Sequence, residues 1–234
     1  MSPDPESLNG EHVAGARNAP IGRDTGRRTL QAMAVQAAAV AAVYAVWPRG
    51  LEAWQLWFVL AIGLAANLLQ PTYSLVEGSR TPHDRATGAQ IVWTVYAVQV
   101  LALAEWLWRQ PTTGMDPVSV AAAALMAAGL VLRTWAVRTL GRFFTWNVEV
   151  QGGQTVIEEG PYRRVRHPSY TGAFMMFWGA TVVLHAWYVV PVACVALLVA
   201  FRRRIGHEEA LLAAEIPGYA DYMKRTGALL PRLR

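Results

Sequence analysis

Gly160-Pro161-Tyr162-Arg163-Arg164-Val165-Arg166-His167-Pro168-Ser169-Tyr170-Thr171-Gly172 leads without a break into an apolar run that continues to Phe201. The run beginning at Ser169 is too long for one membrane span, and His185-Ala186-Trp187 can turn it into two tightly connected helices. The stretch before it is crowded with reactive and charged groups. Each proline fixes φ, removes a backbone donor and biases the residue before it away from helix. Residues 160–168 therefore read as a shaped loop at a membrane surface, with a helix starting near Ser169. A basic juxtamembrane loop accounts for the arginines. It does not account for Gly-Pro-Tyr, His-Pro-Ser-Tyr or Gly172, which point to a binding site.

Composition agrees with a membrane protein. The chain has 234 residues, 54% hydrophobic and 16% charged, an unusual balance for a soluble domain. The net charge of +5 comes from basic clusters that flank apolar runs, which argues against a nucleic-acid surface. One cysteine, Cys194, permits no intrachain disulfide. His12, His83, His167, His185 and His207 lack ligand spacing, so no metal site is expected.

Upstream, residues 1–29 are polar and aperiodic and read as a disordered tail rather than a signal peptide. Leu30 to Trp47 is the first apolar run, with a helical reach of roughly 27 Å. Trp54 to Leu69, Ala89 to Trp108 and Pro117 to about Leu140 follow. Asp116-Pro117 is a helix start, with aspartate as N-cap and proline at the first helical position. Gln90, Gln99 and Glu105 are expected to face other helices or the interface. Val148-Glu149-Val150 and Thr155-Val156-Ile157, around Gln151-Gly152-Gly153-Gln154, suggest a small hairpin. The fold class is all-α, a polytopic membrane bundle of about five or six spans with a cytoplasmic loop and an amphipathic C-terminal tail. Its three parts are the tail (1–29), the N-terminal spans (30–140) and a C-terminal unit (141–234).

Arginine and lysine concentrate in 1–29, 72–88, 133–168 and 202–234, and these segments alternate span by span with poorly charged loops. Both termini and the motif loop are thus placed on the cytoplasmic side. Trp47, Trp54, Trp106, Trp108 and Trp187 fall at the opposite interface, as an aromatic belt would.

A second constellation follows the last apolar run. In Arg202-Arg203-Arg204-Ile205-Gly206-His207-Glu208-Glu209, Arg204 and Glu208 are four residues apart and share a helix face. Such pairs are common on solvated faces and contribute little. Here the pair leaves the membrane on the side of the motif loop, where the two can form a polar cleft. Tyr219 and Tyr222, three apart, read as interfacial anchors.

The ordered set Gly-Pro-Tyr, Arg-His-Pro-Ser-Tyr-Thr-Gly, Arg-x-x-x-Glu-Glu-x-x-Leu, Tyr-x-x-Tyr and Leu-Pro resembles the isoprenylcysteine carboxyl methyltransferase family and related membrane phospholipid methyltransferases. It covers roughly the last 95 residues. The resemblance implies an S-adenosyl-L-methionine site formed by Gln154, Thr155, Val156, Ile157, Tyr162, His167, Pro168, Ser169 and Tyr170, with Asn147 as a further contact. It also implies Arg204 and Glu208 at the substrate end, a lipophilic or lipidated acceptor and a membrane lipid setting. Transfer to a carboxyl oxygen and transfer to a phospholipid nitrogen both stay open. A membrane sterol reductase using NADPH shares an Arg-His-Pro-x-Tyr-x-Gly element, but its usual Cys-x-x-Lys-Tyr-Gly tail is absent. A small transporter would carry charged or broken helices at mid-membrane, which these runs lack apart from Glu105 and Arg133, both near span ends.

Overall fold

A computed structural model describes residues 22–70, 85–145 and 148–232, leaving aside the side chains of 22–25, 27 and 28. Among these residues seven α-helices follow in order: α1 (Gly22–Val46), α2 (Trp54–Leu69), α3 (Thr87–Arg109), α4 (Pro117–Leu140), α5 (Pro168–Val183), α6 (Val189–Glu215) and α7 (Tyr219–Arg225). The all-helical class expected from the sequence is observed. Thr29–Val46, Thr87–Arg109 and Pro117–Phe143 are long and apolar enough to cross a bilayer, and Trp54–Leu69 is a shorter apolar helix. The sequence predicts an unstructured segment up to residue 29. Instead α1 starts at Gly22, so its first two turns extend the apolar run; the tail before residue 22 lies outside the described residues.

Local chemistry sets the ends of these helices. Asp116 caps α4, accepting from the backbone N–H of Val118 and of Ser119 at 3.0 Å each, with Pro117 at the first helical position. The turn expected at His185 forms there, with His185 in the left-handed region at φ 54°. Its ring lies 2.6 Å from Ser119 Oγ and 3.0 Å from Asp116 Oδ2, which ties the α5–α6 turn to the start of α4. Glu105, near the end of α3, accepts from the backbone N–H of Tyr188 (3.1 Å) and Val189 (3.0 Å) and so caps α6 from another helix. Gln99 donates to the carbonyl of Phe177, and Gln90 accepts from Arg203. Gln90, Gln99 and Glu105 therefore face other helices, as expected. Trp106 departs from the aromatic-belt expectation. It is 1% exposed and packs with Val43, Ala53, Leu56 and Leu184. A large apolar ring gains more from this core than from an interface already supplied with Trp108 and Trp187.

α4 and α5 form the tightest helix pair. A β-carbon on Gly172 would stand 2.6 Å from the Gly129 carbonyl oxygen, and one on Gly129 would stand 2.7 Å from that of Gly172. Gly179 fits in the same way against Met126. Small residues let helix backbones approach where lipid offers no hydrophobic drive to association. Gly172 thus answers to helix crossing. Gly172→Leu is expected to cost about 1–3 kcal/mol or more through overpacking. A thermal unfolding midpoint equal to the wild type would contradict this crossing.

The starts of α3 and α5 and the ends of α4 and α6 meet at one end of the bundle, and the C-terminal segment folds over that end. The expected hairpin at 148–157 does not form. Gln154 N–H donates to the Gln151 carbonyl in a turn, but the flanking residues do not pair as strands. Val150 and Val156 instead pack on Ile216, Tyr219 and Tyr222. Covering this apolar patch wins over a two-stranded ribbon, which is marginal alone.

Candidate functional site

The motif loop is held in place by the C-terminus. Arg166 N–H donates to the Gly227 carbonyl (2.9 Å) and His167 N–H to that of Ala228 (3.0 Å), while Gly227 N–H donates to the Arg164 carbonyl (3.3 Å). Thr171 Oγ1 donates to the carbonyl of Leu229 at 2.6 Å, and Tyr222 Oη to that of Tyr162 at 2.6 Å. The residues around the closing Leu230-Pro231 thus form a strap across the loop. Gly160, at φ 52°, lets the chain turn beside Trp135 and Thr139, where a β-carbon would meet atoms of both at 3.1 Å.

The side chains of the loop meet α6. His167, 6% exposed, places Nε2 3.0 Å from Glu209 Oε1 and Nδ1 3.8 Å from Glu208 Oε2. Arg166 Nε donates to the same Glu209 oxygen at 2.6 Å. The Arg166 guanidinium also donates to the carbonyls of Met223 and Thr226. Glu209 therefore fixes both residues, a role that sequence reading assigned to neither glutamate separately. The Tyr170 hydroxyl donates to Glu208 Oε2 at 3.0 Å and accepts from Arg204 Nε at 3.3 Å. It links the two members of the expected pair. Arg204 is 2% exposed and donates to Thr87 Oγ1 at 3.0 Å, so it is not a solvated charge after a span. The rings of His167, Tyr170 and Phe201 stack in sequence, with centroids 5.7 and 5.5 Å apart.

Arg166, His167, Tyr170, Arg204 and Glu208 line one open cavity, with about 1050 Å³ of space between atoms including the part open to solvent. Gln154, Thr155, Val156, Ile157, Tyr162, His167, Ser169, Tyr170, Arg204 and Glu208 are all on its wall. Pro168 is not. It is buried at the first position of α5, where its lack of an N–H and its fixed φ start the helix. Asn147 lies outside the described residues.

The wall also holds residues that sequence reading missed. Leu211 and Leu212 continue the face of Arg204 and Glu208 at helical spacing, a signal present in the sequence. Phe143 and Phe144 follow α4, and Gly88 and Ile91 come from α3, far away along the chain. Tyr219 and Tyr222 are corrections. They are 6% and 2% exposed and face the cavity instead of anchoring at an interface. Burial pushes the Tyr222 phenol up to about 12, with Glu158 adding to the shift. Burial also raises Tyr162 and Tyr219 far above the ordinary phenol range.

The cavity combines aromatic rings, the guanidiniums of Arg166 and Arg204 and carboxylates at one end of a membrane bundle. Residues 122–214 match the model of the isoprenylcysteine carboxyl methyltransferase family. The match spans most of α4, the motif loop, α5 and nearly all of α6. Three curated proteins are similar. The cobalt-zinc-cadmium resistance protein CzcN of Cupriavidus metallidurans is 29% identical over 153 residues, 61% of this chain and 63% of that protein. The nickel-cobalt-cadmium resistance protein NccN of Alcaligenes xylosoxydans xylosoxydans is 29% identical over 112 residues, 47% of this chain and 52% of that protein. Protein-S-isoprenylcysteine O-methyltransferase B of Arabidopsis thaliana is 30% identical over 114 residues, 46% of this chain and 56% of that protein. The chain thus spans less than two thirds of the length of each. The solved structure of the eukaryotic intramembrane Ras methyltransferase, isoprenylcysteine carboxyl methyltransferase, shares the fold. It has a TM-score of 0.51 and 23% identity over 75% of this chain and 63% of that one.

Proposed function

We propose that this protein is a membrane S-adenosyl-L-methionine-dependent methyltransferase acting on a lipophilic acceptor, most like an isoprenylcysteine carboxyl O-methyltransferase. The observation that carries this reading is the convergence of Tyr162, His167, Tyr170, Arg204 and Glu208 on one cavity wall, although they come from two stretches, the motif loop with the start of α5 and α6, that are distant in sequence. The donor set fits the cofactor. Tyr162, Tyr170, Tyr219 and Tyr222 offer aromatic faces for a sulfonium and an adenine. The segment Gln154 to Ile157 and His167 would hold the polar amino-acid end. When bound, S-adenosyl-L-methionine supplies an activated methyl group.

The protein's own contribution is alignment. Arg204 holds the acceptor's head group, and its own position is fixed by Thr87 and the Tyr170 hydroxyl. Glu208 keeps Tyr170 oriented through Oε2 and is placed to take a proton there from an acceptor that carries one. Leu211, Leu212 and Ile91 supply an apolar surface beside these charges. That combination suits a lipid-borne acceptor whose polar end reaches the membrane surface, such as the prenylated cysteine named for the Arabidopsis relative. The test is transfer of label from S-adenosyl-L-methionine to a prenylcysteine or other lipophilic acceptor by the purified protein. No labelled product from any such acceptor would overturn the proposal.

The His167 prediction follows directly. His167→Ala is expected to weaken S-adenosyl-L-methionine binding by about tenfold, equivalent to about 1.4 kcal/mol, because it removes a buried hydrogen-bonded ring. Unchanged calorimetric affinity would remove His167 from the cofactor wall. We also place the cavity and both termini on the cytoplasmic side, from the alternation of basic segments. Cysteines introduced at Ser2 and Arg234 should both label from that side, and labelling from opposite sides would overturn this orientation.

A further inference from the structure

We propose that Arg133 is a positioning residue for the cofactor wall, acting through the first turn of α5; this rests on the cavity binding S-adenosyl-L-methionine. Arg133 belongs to α4, is 8% exposed and is not on the cavity wall. A guanidinium within a membrane helix is expensive, and such groups usually face the bundle interior and mark function. This one reaches two neighbouring segments. Its Nε donates to Gln70 Oε1 at 2.7 Å, just past α2. Its Nη1 donates to the backbone carbonyl of Ser169 at 3.0 Å. Gln70 is itself held, donating through Nε2 to Thr134 Oγ1 at 3.0 Å.

Ser169 sits between the two stacked cavity residues, His167 and Tyr170. The same turn is closed on itself and packs against Arg133. The backbone N–H of Tyr170 and of Thr171 both donate to the His167 carbonyl, which links Ser169's neighbours in one hydrogen-bonded turn. A β-carbon on Gly172 would lie 2.8 Å from both the Cβ and the backbone nitrogen of Arg133. Close packing at Gly172 thus sets how near α5 comes to α4, and the guanidinium sets the position of its first turn. A general helix-packing role would need no charged donor aimed at this particular carbonyl.

The test uses the full-length protein in lipid nanodiscs, with Arg133→Gln, Arg133→Lys and Gln70→Ala. Two readouts are taken: amide hydrogen exchange along α5 and calorimetric affinity for S-adenosyl-L-methionine. Arg133→Gln is expected to speed exchange at residues 169–173 and leave 179–183 near wild type. It is also expected to weaken cofactor binding by about tenfold or more, because small misplacements of aligned groups are costly. Arg133→Lys should recover part of both, since one ammonium donor can still reach the Ser169 carbonyl. Gln70→Ala, which leaves the membrane helix intact, should shift both readouts in the same direction by less. Unchanged affinity in Arg133→Gln, or faster exchange spread evenly along α5, would overturn the assignment and leave Arg133 a packing residue. Wild-type protein that does not bind S-adenosyl-L-methionine would overturn the reading of the cavity itself, and the positioning role with it.

Discussion

Arg204→Ala is expected to slow methyl transfer by on the order of a hundredfold per folded molecule, with S-adenosyl-L-methionine affinity close to wild type. The cofactor wall comes from the loop, the first turn of α5 and α7, whereas Arg204 enters from α6 with its guanidinium between Tyr170 and Thr87. Tyr170 keeps its bond to Glu208 without Arg204, so the aromatic wall stays in place. The acceptor loses the group that holds its polar end. Because Arg204 is 2% exposed, removing it also leaves the Thr87 hydroxyl without this donor and costs about 1–3 kcal/mol of stability. Turnover must therefore be normalised to folded protein. Arg204→Lys should rescue poorly, since an ammonium cannot reproduce a planar two-point grip. Glu208→Gln should impair turnover to a similar degree if its carboxylate orients Tyr170 and Arg204. Near-normal turnover in Arg204→Ala would reduce the residue to a structural cation.

The second large effect is expected at Gly227, which no catalytic reading selects. A β-carbon there would come 1.8 Å from the Leu230 carbonyl oxygen, a backbone atom that cannot swing aside. Any substitution must displace the turn at Leu230. Residues 227–229 also receive the backbone and side-chain hydrogen bonds of Arg166, His167 and Thr171. Gly227→Val should therefore release the strap, free the motif loop and weaken S-adenosyl-L-methionine binding by at least about tenfold. Gly227→Ala should do the same to a smaller extent. Helix content, read by circular dichroism, should stay near wild type because the substitution lies beyond α7. Wild-type affinity in Gly227→Val would show that the strap does not hold the site.

These two positions also mark what a sequence makes legible. Helices driven by apolar length and local caps could be read directly. Trp54–Leu69 is bounded as its composition suggests, and the His185 turn follows from the run before Phe201 being too long for one span. The loop chemistry was equally visible, because glycine, proline, tyrosine and histidine cluster within residues 160–172. What sequence reading missed depends on contacts between distant segments. Gly88 and Ile91 reach the cavity only because α3 packs on α6. Tyr219 and Tyr222 looked like interfacial anchors because nothing local tells a buried tyrosine from a surface one. The expected 148–157 hairpin failed for the same reason: its valines had a better partner in Ile216 and the α7 tyrosines. Gly172 was read as part of a binding motif, whereas its close fit to Gly129 becomes visible only once α4 and α5 are side by side.

The central claim is that the cavity bounded by Tyr162, His167, Tyr170, Arg204 and Glu208 is a cofactor site for methyl transfer. Calorimetric titration of the purified full-length protein with S-adenosyl-L-methionine, and separately with NADPH, tests it most directly. The account predicts saturable binding of S-adenosyl-L-methionine and no binding of NADPH. Saturable NADPH binding with no response to S-adenosyl-L-methionine would contradict it.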